Sequence, residues 1–139
     1  MISRDVRGRG EVLSEHQEVR FNRALARWHE GDSETAIRIL TELVAEAPEF
    51  GPARMMLGAY LADAGFPEDA LLHLRQASEL GPKSELASRA LFHALYDLER
   101  REDAAAVLRK YLAVSDSSDL SDVLSEIERE LLESNRDAL

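Results

Sequence analysis

Displaced by 34 residues, the sequence lands on its own punctuation, and a second displacement lands there again. Ala36 falls on Ala70 and Ala104, and Leu40 on Leu74 and Leu108. Ala24 falls on Gly58, then on Phe92. Gly31 falls on Gly65, then on Glu99, and Pro48 falls on Pro82, then on Asp116. Three copies therefore run over about 17–50, 51–84 and 85–118. A period of this length marks a chain built from one supersecondary unit, each copy burying its apolar face against the next.

The middle copy shows the unit most plainly. Met56, Leu57, Tyr60 and Leu61 share one side of a helix. Gly65 can take the left-handed conformation that ends it, and Pro67 suits the first turn of a second helix. Ala70, Leu71, Leu74 and Ala77 follow at helical spacing, and Pro82 cannot continue that helix. Each copy reads as a helical hairpin.

On these residues the chain resembles the tetratricopeptide repeat (TPR) family. That pattern has a large residue and Leu-Gly on the first helix, Gly at the turn, Ala and a large apolar residue on the second helix, and a closing Pro. Leu57, Gly58, Leu61, Gly65, Ala70, Leu74, Ala77 and Pro82 match it. The resemblance implies an all-α fold, a right-handed superhelix of three antiparallel helical hairpins (a TPR-like α-solenoid) with a C-terminal capping helix. It also implies binding of protein partners.

Two copies depart from the pattern. In copy three, Phe92 stands for the small residue, Glu99 for the turn Gly, and no Pro closes the unit. This predicts a wider helix spacing there, or the relaxed end of the stack. In copy one, strict register puts Arg20, Arg23 and Arg27 at positions that are buried elsewhere, which is costly for unpaired charges. The stripe Phe21, Ala24, Leu25, Trp28 has the spacing of a buried face. It predicts a first helix rotated by about one residue, with Phe21, Leu25 and Trp28 in the core; the other reading places these three in a ligand groove.

The boundaries expected are an N-terminal mobile arm at 1–13, the repeats at 14–118, and a C-terminal helix and tail at 119–139. Ser14 and Gln17 have capping-box spacing, so the first helix starts near Glu15. The arm carries three Arg, which could dock on an acidic surface or simply fray. In the last segment Leu120, Val123, Leu124, Ile127 and Leu131 form one stripe, with Ser118 or Asp119 as its cap. That stripe can close the open end of the stack, or pair with a second copy as a homodimer.

The net charge is −10, which disfavours nucleic acid and anionic membranes as partners. The chain has no cysteine, so disulfides and thiolate chemistry are excluded. It shows no secretory h-region and no apolar run of membrane-spanning length, which reads as a soluble cytoplasmic protein. His16, His29, His73 and His93 form no metal-ligand spacing, and His73 falls off the apolar stripe, on the surface. No nucleophile motif, phosphate loop or dinucleotide fingerprint occurs. The expectation is a protein that is no enzyme and uses no metal or cofactor.

In the resemblance, the first helices of successive copies line a concave groove. The matching residues are Met55, Ala59, Ala62 and Asp63 in copy two, and Arg89, His93, Tyr96 and Asp97 in copy three. Met55 is an adaptable apolar contact, Arg89 a bidentate donor, and His93 a pH-sensitive group. The mixture fits a peptide or helix of a partner. Some family members clamp the C-terminal carboxylate of chaperones with Lys, Asn and Arg; here those positions hold Phe21, Leu25, Met55, Met56, Leu86 and Ala90, so that clamp is missing. Two roles follow: an adaptor binding a segment of a larger protein, or a dedicated secretion or assembly chaperone covering an aggregation-prone subunit. Small acidic proteins of similar repeat number serve type III secretion in the second way.

Overall fold

The repeat becomes visible as three turns with one geometry. Gly31 and Gly65 take positive φ (90° and 96°), and Glu99 follows them at 61°. Around each, the same pair of hydrogen bonds closes the helix end. Asp32 N–H reaches Arg27 O at 2.9 Å, Phe66 reaches Leu61 at 2.8 Å, and Arg100 reaches Leu95 at 2.9 Å. This is the left-handed C-terminal cap that glycine favours. Loss of the glycine in copy three therefore leaves the turn intact and makes a non-glycine residue adopt it.

The computed structural model describes residues 12–138. Among these, the chain forms α1 (Glu15–His29), α2 (Ser33–Glu46), α3 (Gly51–Asp63), α4 (Pro67–Leu80), α5 (Glu85–Asp97), α6 (Arg101–Leu112) and α7 (Ser118–Asp137), with no strand. Consecutive helices pack on one another throughout, and α3 also meets α5. The chain is a TPR-like α-solenoid of three hairpins, with α7 against the last. Residues 1–11 of the expected arm lie outside the described residues; Leu13 is buried. The predicted capping box holds: Ser14 Oγ accepts from Gln17 N–H at 3.1 Å, and Gln17 Oε1 accepts from Ser14 N–H at 3.0 Å.

The interior follows the period. Ala36, Ala70 and Ala104 are fully buried, as are Leu40, Leu74 and Leu108. Opposite them lie Ala24, Gly58 and Phe92, all buried. The helices of the second hairpin, with Gly58, approach along more of their length than those of the first or third. The third hairpin, with Phe92, is in this respect like the first, with Ala24, and α7 packs after it.

The rotation expected for α1 does not occur. Ala24 is buried in strict register with Gly58 and Phe92. Arg23 stands one period before Leu57 and Leu91, which bury against the preceding hairpin; no described hairpin precedes α1, so Arg23 and Arg27 are simply exposed. Arg20 is largely covered but paired. Its guanidinium meets both Glu46 carboxylate oxygens at 2.8 and 2.9 Å, and Glu42 at 3.4 Å. Those bonds, with the Gln17 amide, hold the Glu46 carboxyl down at about 2.

The cap of α7 is Ser117, one residue before the expected pair; its Oγ accepts from Leu120 N–H at 3.2 Å. Leu120 and Ile127 are buried, and Val123, Leu124 and Leu131 pack on the same core as Leu91 and Leu108. The stripe is spent on closing the third hairpin. Leu132 remains exposed.

His73 departs from its expected surface position. It lies one period after Ile39 and one before Val107, so the register draws it half into the interior. Its Nδ1 is buried with no hydrogen-bond partner. Burial, then the neighbouring Arg54 charge, push its pKa below the ordinary histidine value, with Asp69 opposing.

Two outcomes follow. Glu99→Gly should stabilise the protein by about 1 kcal/mol in urea unfolding, since a side chain in the left-handed region costs about 1–2 kcal/mol. An unchanged midpoint would show that the turn is unstrained. Because the folded state disfavours charged His73, stability is full above the unfolded pKa near 6.5 and falls as pH drops below it. His73→Val, the residue of copy three, should flatten unfolding midpoints between pH 7.5 and 5.5. Glu46 titrates below that window and does not interfere.

Candidate functional site

One row of positions recurs on the first helix of every hairpin. It is Phe21, Leu25 and Trp28 on α1, Met55, Ala59 and Ala62 on α3, and Arg89, His93 and Tyr96 on α5. All are half-buried except His93, which is exposed, as are the adjoining Asp63 and Asp97.

On α1 the row is used for packing. The Trp28 ring stacks on Tyr60 of α3 at 4.0 Å with planes 3° apart. Phe21 meets Phe50 edge-on at 5.7 Å. Phe21, Leu25 and Trp28 all border the core formed by α2 and α3. This favours the core reading, with their outer edges left uncovered.

On α3 the row opens into a trough. Met55 lies beside Gly51 and Pro52 at the start of α3, facing Leu80 and Gly81 at the end of α4 and Leu86 on α5. The space is about 360 Å³ and almost wholly apolar. Leu86 and Leu80 are 66% and 44% exposed, and with Met55 they border one apolar concavity. Sequence reasoning found Met55, met Leu86 only as a position where the carboxylate clamp is missing, and did not place Leu80 in a binding surface. The available signal was an apolar residue at each position that falls outside its helix's buried stripe.

On α5 the row is polar and partly committed. Arg89 pairs with Glu85 one turn back on its own helix, at 2.5 Å. His93 lies edge-on to Phe92 at 5.1 Å. The Tyr96 hydroxyl donates to Glu130 of α7 at 3.2 Å, and Arg101 lies over its ring at 4.9 Å while reaching Glu130 at 3.4 Å. Tyr96 therefore ties α5 to α7 and is less available to a ligand than its neighbours. The structure brings Met55 to a concavity, leaves His93, Asp63 and Asp97 on open surface, and engages Tyr96 internally.

Among the described residues no group of three His, Asp or Glu could hold a metal ion, and no helix is long and apolar enough to cross a membrane.

Solved structures share this arrangement. The TPR domain of Sgt2 from Aspergillus fumigatus superposes with a TM-score of 0.78 at 20% identity, covering 95% of this chain and 89% of that one. The first TPR of Spaghetti (RPAP3), bound to the HSP90 peptide SRMEEVD, gives 0.74 at 16% identity over 87% and 99%. MamA gives 0.74 at 21% identity over 86% and 66%. This is the TPR fold. No family model matches the sequence, and no curated protein does. At these identities the likeness of the TPR structures is one of architecture.

Tyr96→Ala should speed amide hydrogen exchange along α7, whereas Arg89→Ala should leave it unchanged. Equal protection in both variants would mean that Tyr96 does not anchor α7.

Proposed function

We propose that this TPR protein is an adaptor that holds an apolar segment of a partner protein along the first-helix row, seated in the trough between α3 and α5. The observation that carries the reading is the trough itself, where Met55, Leu80 and Leu86 present apolar surface to solvent. Adaptable and branched apolar side chains around a concavity suit an amphipathic helix or extended peptide. One structural neighbour, RPAP3, is bound to a peptide. In this chain the positions that resemble the carboxylate clamp hold Phe21, Leu25, Met55, Met56, Leu86 and Ala90. An apolar contact is the chemistry those side chains support.

The adaptor reading is preferred to that of a chaperone for an aggregation-prone subunit because the core closes without a partner. The three hairpins and α7 bury the repeat stripe among themselves. A protein of this kind is soluble alone and needs its partner only for its task.

The test is affinity capture from the native host with identification by mass spectrometry, comparing the natural chain with Met55→Glu/Leu86→Glu. The expected outcome is a partner retained by the natural chain and reduced at least about tenfold by the double variant, with unchanged helix content and melting temperature. A partner held equally by both would place the contact elsewhere.

A further inference from the structure

The trough lies where the second hairpin meets the third, and the junction of the first and second hairpins fills the matching place. One period back, Phe50 stands where the trough has Ser84, Phe21 where it has Met55, and Leu43 where it has Ala77. In that first junction the Phe50 ring is half-buried, edge-on to Phe21 at 5.7 Å, and packs on the core formed by α2 and α3.

The exchange has a local cause. Phe50 and Ser84 each precede a first helix as its N-cap. Phe50 makes no capping hydrogen bond, and its side chain goes to packing. Ser84 Oγ accepts from Ala87 N–H at 3.2 Å, so the same position serves as a cap and the ring is gone.

What surrounds the missing ring is apolar. Glu46, held in the first junction by Arg20 and Gln17, gives way to Leu80, and Pro52 gives way to Leu86. Both leucines are exposed. The space of about 360 Å³ exceeds the roughly 150 Å³ in which an apolar protein cavity holds benzene.

We infer that the trough selects an aromatic ring, a phenylalanine side chain of the partner segment, which restores at the second junction the packing that Phe50 gives the first. The inference rests on the adaptor reading above and specifies its ligand. The Met55 thioether is a favourable neighbour for the ring. Among the lining residues Glu49 alone is charged, so an acidic side chain is repelled. A basic one would set its charge among apolar walls with Glu49 as its one partner there. Phe66 is 53% exposed at the turn between α3 and α4, which makes a second copy of this chain the competing source of a ring.

Three N-acetylated, C-amidated heptapeptides, Gly-Ser-Ala-Xaa-Ala-Ser-Gly with Xaa as Phe, Leu or Lys, are titrated into isotope-labelled protein and followed by amide chemical shifts. The Phe peptide should saturate, with shifts centred on Met55, Leu80, Ser84 and Leu86, and bind at least about fivefold tighter than the other two. Ser84→Phe supplies the ring in cis and should remove that binding. Ser84→Ala loses the cap, keeps the trough open and should retain it. The inference fails if the Leu or Lys peptide binds there as tightly as the Phe peptide; with Leu, the adaptor reading stands and only the choice of a ring is lost. If none of the three saturates at the trough, the inference falls and the capture experiment above decides the adaptor reading. It fails equally if Ser84→Phe folds and binds the Phe peptide unchanged. It is overturned in favour of the second copy if the trough signals move when the protein alone is concentrated and Phe66→Ser stops the movement. Should Ser84→Phe not fold, the ranking of the three peptides on the natural chain decides.

Discussion

Every distance in this molecule is set by how closely the first helix of a hairpin can lie on the second. The contact is between one residue of the first helix and an Ala–Leu pair, four residues apart, on the second. In the middle hairpin the first-helix residue is Gly58, and a Cβ built there would stand 2.6 Å from the Leu74 side chain and 3.3 Å from the Ala70 carbonyl. The two backbones have come together as far as hydrogen on Cα allows. Ala24 and Phe92 require more room at the same place, and their hairpins open accordingly. Interior packing is dense enough that such a difference cannot be absorbed locally.

Around that apolar contact runs a polar one. Arg20 and Arg54 reach from first helix to second, so each of these hairpins has a polar tie beside its Ala–Leu seam. Exposed pairs of this kind contribute little individually, about 0–1 kcal/mol. Arg54 also supplies a donor to the Pro48 carbonyl, which an apolar side chain at that position could not do. The next period places Ser88 at that position, beside an open space between α4 and α6. Beside Arg54, His73 shows the reverse: a polar group at an apolar register position, with its Nδ1 unmatched. The third hairpin compensates in another way, through Tyr96, Arg101 and Glu130, which bind α5 and α6 to α7.

Much of this was legible in the period. Helix ends, the turn positions and the buried Ala and Leu rows all follow from a 34-residue displacement, because a repeat writes each structural constraint three times. What could not be read was position within the stack. Arg23 looks misplaced only if α1 is assumed to have a hairpin before it, and the buried stripe Phe21–Trp28 looks rotated for the same reason. His73 was misjudged from the polarity of its side chain, although its register with Ile39 and Val107 was available. Glu99, with Phe92 and the missing Pro, was read as a sign of wider spacing or of the end of the stack, when the backbone kept the left-handed turn and placed a side chain in it. Of the candidate face, Met55 was found by register alone. The trough around it depends on where the end of α4 and the start of α5 meet, which no periodicity encodes.

The recurring row on the first helices carries the last step. The fold gives it three equivalent stations, and the sequence gives each a different chemistry. On α1 the large rings of Phe21 and Trp28 turn sideways onto α3, so this station is largely filled from within. On α5 the row is charged, and Tyr96 is drawn toward α7. Only on α3 does the row shrink to Met55, Ala59 and Ala62. At its Met55 end the row opens onto the trough bordered by Leu80 and Leu86. A partner lying across the row would therefore meet aromatic edges, then a low apolar bed, then Arg89 and His93. Since the three stations differ in kind, a bound segment with one apolar and one acidic end has a single favourable direction. Identical repeats would offer it two or three registers of equal energy, so the divergence among the copies is what would give such a face a defined ligand orientation.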